Sequence, residues 1–313
     1  MRPKAHVRDK GKLDLAESKV QQRPVYQPNA SSVEAHPTIL STFHNHPLVM
    51  LKPHWHAQVE VNFIVAGTVH YRMHTHELTL TAGQMVLFWG GLPHQMYDLS
   101  DDAIYAGAHL PLMHFFRLRL PEDVPHQLMQ GTTLLSCTPD DSDAHNFARW
   151  NRYARSGDAV KAQHAVDELL LRLERVRFEP YQLVGNSKAP GHAVETAEVQ
   201  SSRNVGKMCD YIAENFLHEI DSVDIARAAN LHPKYAMSIF KRSTGMTLNE
   251  YVSLLRLSYA QALLLRDDAN VLRVAMESGF GSLSAFNKSF RKIAGMSPSD
   301  FRRDAFIPGA LAS

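Results

Sequence analysis

At 313 residues the chain has room for two domains, each with its own core. Its 33 Lys and Arg nearly cancel its 32 Asp and Glu, and the net of +3 over residues 201–313 permits nucleic-acid binding without arguing for it. Two distant cysteines, Cys137 and Cys209, exclude a disulfide framework and fit a reduced, cytoplasmic compartment. The N-terminus lacks an apolar signal segment and no run approaches membrane-spanning length, so no membrane association is expected.

Residues 1–37 are polar and aperiodic, which predicts a flexible arm. From 38 to 112 short apolar runs such as "VEVNFIVAG", "ELTLTAG" and "QMVLFWGG" recur between turn residues. Their alternation predicts antiparallel strands in a barrel or sandwich. The first of these follows "PHWH", giving His54-x-His56-x3-Glu60. All three are even-numbered, so one strand face carries them. Together they form a donor set that could hold a metal or bond the hydroxyls of a small polar ligand. The plain alternative is a strand that carries histidines, because 13 of the chain's 18 lie in the first 130 residues. Trp89, and less so Trp55, could offer a flat face to a sugar ring, or simply pack in the core.

After Pro121 the pattern turns helical. Val166, Leu169, Leu170, Leu173 and Val176 form a stripe that packs on the sheet or pairs with a second copy. Residues 179–203 lack a period and read as a linker. The expected division is therefore an arm (1–37), an effector-binding and dimerisation domain (38–178), the linker, a helical domain (204–304) and a tail (305–313).

Within 204–304 the segments "DIARAANLHPKYAMSIFKRSTG" and "RVAMESGFGSLSAFNKSFRKIAG" repeat one layout. Ala226 matches Ala275 and Leu231 matches Phe280, both 49 residues apart. Two helix-turn-helix units in tandem explain this better than a bundle with similar turns. Ser222 is the expected cap of the first helix, and Thr247-x-x-Glu250 opens a joining helix through about Arg266. That helix would span about 30 Å, near the roughly 34 Å repeat of duplex DNA.

Here "VLRVAMESGFGSLSAFNKSFRKIAGMSPSDFRR" resembles the C-terminal signature of AraC-type transcription regulators. The resemblance implies that helices starting near Pro233 and Ser282 read double-stranded DNA. Its base-facing positions fall on Lys234, Met237 and Ser238, then on Leu283, Ser284, Ala285 and Lys288 with Asn287 beside them. Lys241, Arg242 and Arg291 suit phosphate. The first helix lacks the Arg or Gln that usually gives strong base readout.

His54, His56, Glu60 and Gly67 also fit the first cupin motif, and Gly83 through Asp98 nearly fit the second, with Trp89 for Pro and Asp98 for Asn. In metal cupins His54, His56, Glu60 and His94 would hold iron, manganese or nickel. Most AraC-type sensors instead bind an organic effector without metal, so no cofactor is expected and the ligand residues would be His54, His56, Glu60, Trp89 and His94. The fold implied is α+β, a cupin-like β-barrel with flanking helices followed by the all-α domain. The function implied is a cytoplasmic, homodimeric activator that works with RNA polymerase. Likeness to sugar-responsive members suggests an effector such as an α-galactoside. The alternative is a metal-dependent cupin enzyme fused to a DNA-binding domain.

Overall fold

The computed structural model describes residues 40–138, 140–185, 197–266 and 268–305. The expected arm and all but the first residue of the tail lie outside them.

Among the described residues, nine strands form two antiparallel sheets. β1 (Ser41–Asn45), β7 (Ile104–Leu110), β2 (Val59–Ala66), β5 (Met85–Trp89), β8 (Thr133–Ser136) and β9 (Tyr181–Val184) lie in that order in the larger sheet. β4 (Glu77–Thr81), β3 (Thr68–Arg72) and β6 (Gln95–Leu99) make the smaller one. No strand pairing among the described residues joins the two into a closed barrel, so the cupin-like half is a two-sheet sandwich.

Period-2 alternation sorts its side chains. In β4, Leu78 and Leu80 are buried while Glu77, Thr79 and Thr81 face solvent. β5 is buried along its whole length because both faces are covered. Ile64, Val86, Phe88, Tyr71 and Met96 fill the space between the sheets. Val59, Val61, Phe63, Leu87 and Trp89 belong instead to the larger core, with helical residues such as Phe147 and Trp150.

Among the described residues the sandwich is accompanied by α1 (Leu112–Phe115), α2 (Val124–Met129), α3 (Asp143–Ala154) and α4 (Ala159–Glu174). α3 and α4 are clamped together by a buried fork in which Arg172 Nε and Nη2 each donate to an Asp143 carboxylate oxygen at 2.7 Å. The leucine stripe is accounted for here. Val166, Leu169, Leu173 and Val176 are buried in the core, and Leu170 is half-buried. The stripe therefore serves this chain's own packing rather than a contact between copies. The large apolar residues left outside on this segment are Val160, Leu171 and Phe178. The expected linker also shrinks: Tyr181–Val184 close the larger sheet, and the next helix begins at Ala197.

Seven helices follow: α5 (Ala197–Asn215), α6 (Ser222–Ala228), α7 (Pro233–Thr244), α8 (Leu248–Leu264), α9 (Val271–Glu277), α10 (Leu283–Ala294) and α11 (Pro298–Ala305). α8 opens with the expected capping box, Glu250 N–H donating to Thr247 Oγ1 and Thr247 N–H to Glu250 Oε2. It ends two residues earlier than expected, at Leu264. Its 17 residues therefore span about 25 Å.

The helical half rests directly on the sandwich. Met113 of α1 is buried with Leu257 and Leu263 of α8. Phe116, Phe216 and Tyr259 form an aromatic trio at ring separations of 5.3–6.1 Å. The buried Tyr251 hydroxyl of α8 donates to the Gly91 carbonyl at 3.2 Å.

The packing role of the stripe is testable. Leu173→Ala should cost about 2–5 kcal/mol in urea denaturation, the range for a buried leucine. The folded variant should sediment like the wild type. A small stability change with dissociation to monomers would restore the stripe to an interface.

Candidate effector site and DNA interface

The pairing of β2 with its neighbours builds the sensor site. Glu60 lies opposite Phe88 of β5 and opposite His109 of β7, so all three side chains share the face between the sheets. His54 and His94 form an isolated bridge, with His94 N–H donating to His54 O and His54 N–H to His94 O. This bridge brings the loop after β5 over the strand. Candidate ligand atoms of His54, His56, Glu60 and His94 consequently lie within 4.8 Å of one another, and all four residues are buried.

Glu60 is the hub. Its Oε1 accepts a hydrogen bond from His56 Nε2 at 2.7 Å and stands 3.0 Å from His94 Nε2 and 3.7 Å from His109 Nε2. Its Oε2 accepts from Asn62 Nδ2 at 2.8 Å. Burial alone would raise the Glu60 carboxyl, but the His94 charge and the bonds from His56 and His94 outweigh it and hold the group well below the carboxylate range. Desolvation pushes the imidazole of His109 down to about 3.

His94 decides what the cluster needs. Its Nδ1 lies 2.9 Å from the Leu92 carbonyl and can only donate there. A neutral ring then turns an Nε2 lone pair toward Glu60 Oε1. Two acceptors at that distance require a cation: a second ring proton, or a metal ion between them. Cis ligands with bonds of about 2.1 Å lie roughly 3 Å apart in an octahedral shell, so the 3.0 Å between His94 Nε2 and Glu60 Oε1 suits a shared metal ion. The His94 tautomer also has the outer-partner arrangement usual for a metal-bound histidine. His54, His56, Glu60 and His94 therefore fit a transition-metal ion.

The cavity bordered by Met73, Phe88, Trp89 and His94 measures about 10 Å³, at most enough for one water. Trp89 is a correction to the sequence reading. It pairs with Val59, not Glu60, and so points to the helix-covered face, where its indole N–H donates to Ala57 O at 3.2 Å. Two members of the network went unnoticed in the sequence, His109 and Asn62. Their places depend on cross-strand register, which no local motif announces.

In the helical half the duplication extends to backbone conformation. Asn230 and Gly279 both take positive φ, +56° and +78°, at the same point of each turn. Leu231 N–H donates to Ala226 O at 2.9 Å, and Phe280 N–H to Ala275 O at 3.1 Å. The first helix is capped by Asp221, one residue before the expected Ser222, through bonds from the Val223 and Asp224 amides. Both reading helices end on a left-handed glycine, Gly245 and Gly295.

Lys234, Met237, Ser238, Lys241 and Arg242 are exposed on α7, beside an open groove of about 670 Å³. On α10, Leu283, Ser284, Ala285, Lys288 and Arg291 are exposed and Asn287 is half-buried. Phe240, Phe286 and Phe290 fill the opposite faces. Lys292 pairs with Glu250 at 3.4 Å, tying α10 to the start of α8.

A cupin domain model matches residues 43–106, and a helix-turn-helix domain model matches residues 225–304. The chain is 30% identical over 257 residues to the melibiose operon regulatory protein of Escherichia coli K12, covering 82% of this chain and 85% of that protein. The chain belongs to the AraC-type transcriptional regulators. The Msm operon regulatory protein of Streptococcus mutans is 35% identical over 81 residues, 26% of this chain and 29% of that protein. Among solved structures, fatty-acid-bound ToxT from Vibrio cholerae covers 85% of this chain and 91% of its own at 16% identity and TM-score 0.33. The DNA-binding domain of AdpA in complex with a target DNA covers 31% and 86% at 27% identity and TM-score 0.30. As an AraC-type regulator with a cupin sensor, the chain has DNA as its partner, and its relatives are regulators rather than enzymes. No helix among the described residues is long and apolar enough to cross a membrane.

The turn conformations give a prediction. Gly279→Ala should destabilise the helical half, because its Cβ would stand 2.9 Å from the Phe216 and Leu217 carbonyl oxygens at an already unfavourable φ. Asn230→Gly, at the matching turn, should be tolerated. Thermal melts of the two variants check the contrast; equal melting points would contradict it.

Proposed function

We infer that this regulator activates transcription from promoter sites in double-stranded DNA and responds to a small effector, a sugar such as an α-galactoside. One observation supports the DNA reading best: two matched helices, α7 and α10, both packed on α8, leave residues of their first turns exposed to solvent. The melibiose operon relative supports the sugar class. Activation implies contact with RNA polymerase, action in the cytoplasm and cooperation between two copies on repeated half-sites. By position, Lys234, Met237, Ser238, Leu283, Ser284, Ala285, Asn287 and Lys288 face bases, while Lys241, Arg242 and Arg291 face phosphate.

The two contact classes respond differently to truncation. Lys288→Ala should cost about 1–3 kcal/mol at the operator and relax preference at one base pair. Arg291→Ala should weaken all sequences alike and lower the salt dependence by about one counterion. Binding titrations on operator and random duplexes at several salt concentrations distinguish them. An unchanged Lys288→Ala variant would remove α10 from the reading role. For the effector, a sugar that binds the folded sensor must raise its melting temperature. A panel of α- and β-galactosides and glucosides against the full chain, with no shift from any, would overturn the sugar class.

The 3.0 Å approach of His94 Nε2 to Glu60 Oε1, which calls for a cation between or on them, favours a second reading of the sensor, in which His54, His56, Glu60 and His94 hold a divalent transition metal. Such an ion would supply fixed positive charge to a buried carboxylate. By itself it gives no support to the enzyme alternative, since a bound ion can stabilise or sense as well as catalyse.

A further inference from the structure

We propose that His109 is also a ligand, so that the sensor's metal has five protein donors and at most one exchangeable position. This inference rests on the metal reading of the cluster. His109 lies outside both cupin motifs and beyond the residues matched by the cupin model, which end at 106.

The register supplies the first reason. β2 and β7 pair Glu60 with His109 directly, so the two side chains are cross-strand neighbours on the inner face, and a hydrogen-bonded ladder on both sides fixes them there. The second reason is the ring's own bonding. His109 Nδ1 is buried without a hydrogen-bond partner, and Nε2 faces Glu60 Oε1 at 3.7 Å, too far for a hydrogen bond. Equatorial ligands 120° apart in a five-coordinate shell with bonds of about 2.1 Å lie roughly 3.6 Å apart, so a small shift of the ring brings Nε2 to an ion already held by Glu60, His56 and His94. The third reason is support from behind. Phe43 packs on the His109 ring at 5.1 Å, and Gly107 makes room for Phe43, since a Cβ there would stand 2.7 Å from it.

Four imidazoles and one carboxylate suit iron, cobalt, nickel or zinc over magnesium or calcium. A shell this full resembles closed structural sites more than catalytic ones, which keep positions open for water and substrate. The ion would act as a resident or sensed cation.

Co²⁺ is the probe. Full-length protein is stripped with chelator, titrated with Co²⁺, and read by metal stoichiometry and by the visible ligand-field spectrum. The wild type should take one equivalent with the weak bands of five- or six-coordinate cobalt. His109→Ala should bind at least about 10–100-fold more weakly, the loss that removing even an outer partner brings. Its spectrum should shift, and free imidazole should restore it. His109→Phe keeps a ring beside Phe43 and should show the same loss if the alanine variant does not fold. A wild type that takes no Co²⁺ would overturn the metal reading itself. A wild type that binds, with both variants equal to it in affinity and spectrum, would overturn the role of His109 alone.

Discussion

A carboxylate moved out of water costs several kcal/mol unless nearby charge or hydrogen bonds compensate it. Glu60 is 5% exposed, and the partners of its Oε1 are all imidazoles, His56 from its own motif and His94 and His109 from more distant parts of the chain. Meeting that demand fixes much of the sensor. β7 must run beside β2 in the register that places His109 opposite Glu60, and the loop after β5 must fold back until His94 bridges His54. Gly90 makes this fold possible, because a Cβ there would strike the His56 ring at 2.3 Å. Asn62, which also donates to the Tyr71 hydroxyl, carries the same network into the smaller sheet.

The same loop faces the reader. Gly91 accepts from Tyr251, and Leu92 holds His94, so the residues between the cluster and α8 are bonded at both ends. α8 itself is buried at twelve of its seventeen positions. A helix that apolar on most sides must be covered on most sides, and here its covers are two helix-turn-helix units and α1 of the sensor. Arg256 adds a polar tie, donating to the Phe216 and His218 carbonyls at the end of α5. None of this reaches the exposed faces of α7 and α10. The structure thus joins the halves on one side of the reader and leaves the other side open to DNA.

Local features of the sequence were the most legible. The capping box at Thr247, the glycine stops and the 49-residue duplication are written in consecutive residues, and the helical half follows them closely. His54, His56 and Glu60 were legible as a face because strand alternation needs no partner. What depends on pairing was not. Trp89 sits inside the second motif, yet register turns it away, while His109 joins from a strand nearly fifty residues beyond Glu60. The leucine stripe shows another limit. Helical periodicity reveals that a face will be covered but not by what, and the buried Arg172–Asp143 fork that seats α4 on α3 has no local signature. β9 escaped because a four-residue edge strand carries too little pattern to stand out from a polar segment.

Burial of Met113 against α8 bears on modularity. Regulators built from a sensor and a reader invite recombination, with one relative's sensor joined to another's reader at the segment before α5. In this chain such a cut separates Met113 from Leu257, Phe116 from Tyr259 and Gly91 from Tyr251. A chimera would inherit half of each contact and would expose apolar surface unless the new reader supplied matching residues. Sensor and α8 therefore form one hereditary unit, and a transplant that preserves the response has to carry α1, the 89–94 loop and the facing side of α8 together.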